Sequence, residues 1–403
     1  MRVYKKTWKV FALCSLLILA VQCGCLSIIP SEVFMLRGET HALPAFVAPN
    51  ETKDGFLLHK DGKKLEIIPT ETGSFTWDFS ALGLVKKTAT VNVIEPREVF
   101  LGGETVGIKL YMEGVLVVGI SRIPGTGETP GETAGIRKGD RILAVNGIPL
   151  SGSDALEEAV TESGGAPLSV KVGRNEGEFE TVITPVYYPD GESYKLGLWV
   201  KESAAGIGTV TFVLPENGQY VALGHAIEDA DTGTEVHTAK GAVTDCEIVH
   251  IEKGEGGAPG CVRGVFGKEL GKIEKNITVG LYGTLSVPEK EGTRLPVAVG
   301  SQVTKGTAVL YSDIAGGTPV GYAVEIERIL HRQTPGTKNM VVRVTDERLL
   351  RLTGGIIQGM SGSPLIQNGK LIGAVTHVFV NDPTRGYGIF IENMLAEAEK
   401  ISD

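Results

Sequence analysis

The chain has 403 residues, 42% of them hydrophobic and 22% charged, with a formal net charge of −9. That length suits two or three domains rather than one core, the apolar share excludes disorder, and the acidic balance leaves no electrostatic footprint for nucleic acid. No Walker loop, no Cys-x-x-Cys pair and no His-Glu-x-x-His occurs, so no cofactor or metal is expected.

In chain order, Arg2, Lys5, Lys6 and Lys9 precede an uncharged stretch from Val10 to Ile29. Its length matches the ~20 residues a helix needs to cross a bilayer. Residues 1–29 are therefore read as a membrane anchor with its basic flank in the cytoplasm and the rest of the chain on the far side. A secretory signal cleaved near Cys23-Gly24-Cys25 is the alternative. Export would permit a disulfide between Cys246 and Cys261, although two free thiols fit equally.

Residues 30–96 alternate short apolar runs with turns (KKLEIIP, SFTWDFS, KKTATVNVIEP) and predict a small β-rich module or stalk. Residues 97–187 carry more information. EGVLVVGIS is a Gly-led buried strand, and AGIRKGDRILAVNGIPL combines a Lys138-Gly139-Asp140 turn, a strand and an Asn146-Gly147 hairpin turn. SDALEEAVTES then places Ala155, Leu156, Ala159 and Val160 at helical spacing. This order and the A-G-x-x-x-G-D-x-I-x-x-V-N-G pattern resemble a PDZ domain. The resemblance implies a groove where a peptide or chain terminus adds as an extra strand beside Gly114, Val115, Leu116 and Val117.

From Leu196 onward, short strands follow one another with glycine turns, which predicts an all-β barrel or sandwich for residues 188–403. Within it, GMSGSP presents Ser361 on a tight turn, the setting of an activated serine or of an ordinary turn. A nucleophilic serine needs an oriented base. Of His225, His237, His250, His331 and His377, His225 stands after a strand and a glycine at the start of a polar loop, with His237 as its substitute. His377 lies in the apolar run AVTHVFV and reads as a core histidine, and His250 as a solvent-facing one. Asp346 ends a strand ahead of Ser361 and is the candidate acid; its other reading is a helix N-cap on ERLL, and Asp229, Asp231 and Asp382 stand behind it.

The order His, Asp, Ser is that of chymotrypsin-like double barrels, whose Gly-Asp-Ser-Gly-Gly-Pro turn GMSGSP resembles except at its second residue and at Ser363. In that geometry the backbone N–H groups of Gly359 and Ser361 form the oxyanion hole. The basic-apolar leader, the PDZ-like segment, ALGHAIEDADTG and the run from Gly354 to Leu395 together resemble the stage IV sporulation protein B peptidases of endospore-forming bacteria. The resemblance implies a mainly β chain: a membrane anchor, a small β-rich module, a PDZ domain and a chymotrypsin-like double β-barrel serine protease domain. It carries the nucleophile to Ser361, the base to His225 and the acid to Asp346. It further implies self-cleavage between anchor and PDZ domain, and action in the space between the two forespore membranes. The substrate there is a membrane-bound regulator that restrains an intramembrane protease. The competing reading is a non-catalytic exported PDZ scaffold.

Overall fold

The computed structural model describes residues 31–402, except 45–46, 50–52, 63, 82–84, 175–176, 287–291 and 331–335, together with residues 15, 16 and 18. The predicted anchor therefore lies almost wholly outside the described residues, as does His331. Among the described residues no helix is long and apolar enough to cross a membrane.

Alternation builds the first unit. In Lys64–Pro69 the apolar face of Leu65 and Ile67 is buried while Lys64 and Glu66 are not, as a half-buried strand requires. A four-stranded and a three-stranded sheet close over Ile67, Trp77, Phe79, Met35 and Val91. The unit is no free stalk. Leu36 packs with Phe212, Leu371 and Met394 of the C-terminal region, and the buried His41 ring meets Ser301 Oγ at 2.8 Å.

The PDZ-like unit follows from its motif. Asp140, 1% exposed, accepts from Arg137 N and from Arg174 Nε and Nη2, all at 2.7 Å, which ties the Lys-Gly-Asp turn to the last strands. Asn146 and Gly147 both have positive φ, 49° and 79°, as a two-residue hairpin turn demands. The helix Ser153–Glu162 turns Leu156 and Val160 into a core with Val115, Val117 and Ile142.

The expected groove at Gly114–Val117 is not where the sequence placed it. That segment is interior to the sheet. Val115 and Leu116 pair with Ile142 and Arg141 on one side, while Leu116 and Val117 pair with Lys201 and Val200 on the other. A strand with both edges hydrogen-bonded has none left for a peptide. A separate opening of about 220 Å³ lies between the helix Ser153–Glu162 and the segment Tyr194–Val200. It is bridged at one end by the Glu202 carboxylate, which accepts from Ser153 N at 2.6 Å and Oγ at 2.8 Å.

The boundary expected between residues 187 and 188 also shifts. One strand, Thr105–Ile120, serves two units: its C-terminal half enters the PDZ-like sheet, and residues 105–112 pair with both Thr238–Glu252 and Leu198–Val213. The ring is completed through Cys261–Ile277, Gly280–Leu285 and Gln219–Ala222. The PDZ-like unit is thus inserted between the first and second strands of this first barrel. Gly306–Ser312, Val320–Ile329, Met340–Val344, Asp382–Phe390, Lys370–Phe379 and Pro364–Gln367 close the second barrel. Cys246 lies opposite Phe266 and Cys261 opposite Glu252 along one hairpin, so the two thiols are too far apart in register to bond, and both are free.

Candidate active site

The two barrels meet along a cleft of about 800 Å³ that brings His225 and Ser361 to one surface. His225 follows the strand Gln219–Ala222 through a three-residue turn closed by Gly224 N–H on Ala222 O at 2.8 Å. Its central residue, Leu223, has φ +69°, a conformation that costs an L-residue on the order of 1–3 kcal/mol and concentrates at functional sites. Beyond the turn, Asn276 clamps the loop by accepting from Ile227 N at 2.8 Å and donating to Ile227 O and Val236 O at 3.0 Å.

His225 Nδ1 lies 2.7 Å from the carbonyl oxygen of Ala226. A carbonyl only accepts, so the proton sits on Nδ1 and Nε2 carries the free lone pair. Burial holds this imidazole below its ordinary value of 6.5, with the Ala226 bond and the Glu228 charge pulling partly the other way. The His377 ring packs on it with centroids 4.8 Å apart, and burial, followed by the charges of His225 and Lys338, pushes His377 down to about 4. The apolar run AVTHVFV suggests a core position for His377, but the structure places it in the cleft against His225. A burial-lowered pKa keeps the neutral base present to lower pH, and the rate falls only as pH drops through it. The acid limb of kcat/KM on a fluorogenic peptide is therefore expected to have its midpoint below 6.5; a midpoint at or above that value would contradict the assignment of His225.

The loop that carries Ser361 runs from the helix Glu347–Thr353 to the strand Pro364–Gln367. Ser361 Oγ donates to the carbonyl of Thr376 at 2.6 Å and makes no hydrogen bond to His225 in this conformation. Gln358 O accepts from Val262 N at 2.9 Å and Met360 O from Ser363 N at 3.0 Å. In planar trans peptides the N–H points opposite its carbonyl, so these two bonds aim the N–H groups of Gly359 and Ser361 away from the loop's own partners. Among the described residues neither N–H donates to any group. The loop needs glycine at 359, where φ is +104° and a Cβ would stand 2.9 Å from Val262 Cγ2.

Asp346 is not brought to His225. It is the N-cap of the helix Glu347–Thr353, accepting from Arg348 N at 2.9 Å, Arg348 Nη2 at 2.8 Å and Ala323 N at 3.1 Å. Those bonds, the Arg348 guanidinium first, hold its carboxyl far below the usual range. The other aspartates are also engaged locally: Asp229 with Thr232 and Lys201, Asp231 with Lys201, and Asp382 with Thr384 and Arg385. His237 and His250 are exposed and do not line the cleft. Asp346→Asn keeps an acceptor at the cap, so its activity is expected to stay within roughly tenfold of wild type, whereas the same change in a triad acid costs ~10⁴-fold. Asp346→Ala removes the cap and is expected to lower stability by about 1–2 kcal/mol in urea unfolding. A ~10⁴-fold loss in the folded Asn variant would return Asp346 to the catalytic group.

The profile of the SpoIVB peptidase S55 family matches residues 192–395, just over half of the chain, and that of the PDZ domain matches residues 127–174. None of the curated proteins compared is a match. Among solved structures, the crystal structure of the inactive form of Rv3671c protease is similar over 49% of this chain and 85% of that one, at 14% identity and a TM-score of 0.28.

Proposed function

The chain belongs to the SpoIVB peptidase S55 family and is a serine-type protease carrying a PDZ domain; from that premise we propose that Ser361 is its nucleophile and His225 its general base. The observation that carries this is the arrival of both side chains in one cleft from separate barrels, beside the two undonated N–H groups of Gly359 and Ser361. In the reacting state the Ser361 hydroxyl leaves Thr376 O and turns toward His225 Nε2. Oγ attacks the scissile carbonyl as its proton passes to Nε2, and the oxyanion takes the N–H groups of Gly359 and Ser361. The imidazolium then gives its proton to the leaving amine, and water releases the acyl group by the same steps in reverse. Ala226 O holds the ring in the reactive tautomer, the part a carboxylate plays in a triad. Apolar walls (Ile207, Val262, Ile356, Ile357, Val378 and Val380) suit the apolar side chains of an extended protein substrate, with Glu228 and Arg263 as charged points in the same lining.

The finer reading rests on family resemblance and on the basic-apolar leader. The enzyme is anchored, works on the extracytoplasmic side between the forespore membranes and cuts itself free between anchor and PDZ domain. Its target is a membrane-bound regulator of an intramembrane protease in endospore formation. N-terminal sequencing of protein released by sporulating cells tests it. Wild type is expected to appear with a new N-terminus ahead of residue 105, where the first barrel begins, and Ser361→Ala to remain full-length. The same new N-terminus in Ser361→Ala would remove self-cleavage from the account.

A further inference from the structure

Two catalytic loops from different barrels must hold their relative positions to well under 1 Å for efficient transfer, and one residue touches both. Thr209, in the strand Leu198–Val213, is fully buried. Its hydroxyl donates to Gly359 O at 3.0 Å, its amide donates to Ser361 O at 2.9 Å, and its carbonyl accepts from Leu223 N at 3.2 Å, in the turn that presents His225. The first two bonds fall on the carbonyls of the residues that supply the oxyanion N–H groups. Gly359, at φ +104°, has no side chain to resist rotation of its peptide. The Gln358 and Met360 carbonyls are pinned from elsewhere, and the peptide between Gly359 and Met360 is held at its N–H end by Met360 N on Ile357 O at 3.1 Å; its carbonyl end is fixed by the Thr209 hydroxyl.

We propose that Thr209 is a positioning residue for the oxyanion hole: it fixes the Gly359 peptide so that the 359 and 361 N–H groups converge, and ties that loop to the base-bearing turn. The inference rests on the reading of Ser361 as nucleophile. Thr211, two residues on, supplies an internal control. It is equally buried, and its hydroxyl donates to Gly362 O at 2.8 Å, beyond the oxyanion pair.

The test is the rate of labelling by a fluorophosphonate probe, whose phosphoryl oxygen needs the oxyanion hole but no knowledge of the natural substrate. Thr209→Val is expected to slow labelling by roughly 10- to 100-fold, somewhat less than deleting a donor outright. Thr209→Ser should restore the rate, and Thr211→Val should change it by less than about threefold on the same scale. Thermal midpoints are read alongside, and should Thr209→Val not fold, Thr209→Ala, which adds no bulk, takes its place. Wild-type labelling in a folded Thr209→Val or →Ala protein overturns the inference, as does equal slowing in Thr211→Val, which would mean general loosening. No labelling of wild type itself would instead sink the Ser361 reading on which it rests.

Discussion

Ser361→Ala is expected to lower peptide hydrolysis by ~10⁴-fold or more with no change of fold, since it removes one oxygen from a turn that is otherwise held through its own backbone groups. The Ser361 hydroxyl spends its one observed hydrogen bond on Thr376 O, and the loop is held independently by Gly362 N on Val375 O at 2.8 Å and Val375 N on Ser363 O at 3.0 Å. His225→Ala is expected to lose activity to a similar extent, and the double variant no more than either, because nucleophile and base act as a unit. Rates on a fluorogenic peptide, with near-UV circular dichroism on the same samples, decide this. Additive losses in the double variant would mean that the two residues do not share one step. Full activity in His225→Ala with none in His377→Ala would move the base to the neighbouring ring.

Replacing Gly114 has the other large effect, and it is a loss of fold rather than of ligand binding. A Cβ at this position would lie 2.2 Å from the carbonyl oxygen of Ile142 and 3.0 Å from its carbonyl carbon, in the adjacent central strand, and the backbone holds φ at +72°. Backbone atoms cannot step aside as a flexible side chain does. Strain in φ and overpacking add to on the order of 3–5 kcal/mol for Gly114→Ala, or roughly a 5 °C fall in Tm for a chain of this length; Gly114→Trp is worse. Because the strand Thr105–Ile120 continues into the first barrel, hydrolysis is expected to fall with stability. A Gly114→Trp protein of wild-type Tm would show that this strand is not packed as an interior one. Substitutions at Leu198 or Val200, which line the opening beside the helix Ser153–Glu162, test whether that opening takes a peptide.

Local pattern alone determined a good deal. The alternation and the glycine turns specified a mainly β chain, and the Asn146-Gly147 turn and the Lys138-Gly139-Asp140 motif marked a PDZ-like unit, because each is a property of a few consecutive residues. Ser361 and His225 could be singled out for the same reason: each stands at a strand end beside glycines. What the tertiary structure decided is which strands lie side by side and what faces each polar atom. Alternation tells which face of TVGIKLYMEGVLVVGI is buried but not that its halves belong to different units, nor that Leu198–Lys201 occupies the edge where a peptide was expected. An aspartate before ERLL satisfies a helix cap and a triad acid equally well in sequence; only the placement of Arg348 and Ala323 shows where its oxygens go. His377, read as a core residue from its apolar neighbours, meets His225 because the second barrel closes against the first. Thr209 and the Ala226 carbonyl left no sequence signal at all: a buried threonine in a strand meets Gly359 only once distant parts of the chain pack together, and a backbone oxygen meets the ring of the residue before it only in one local conformation.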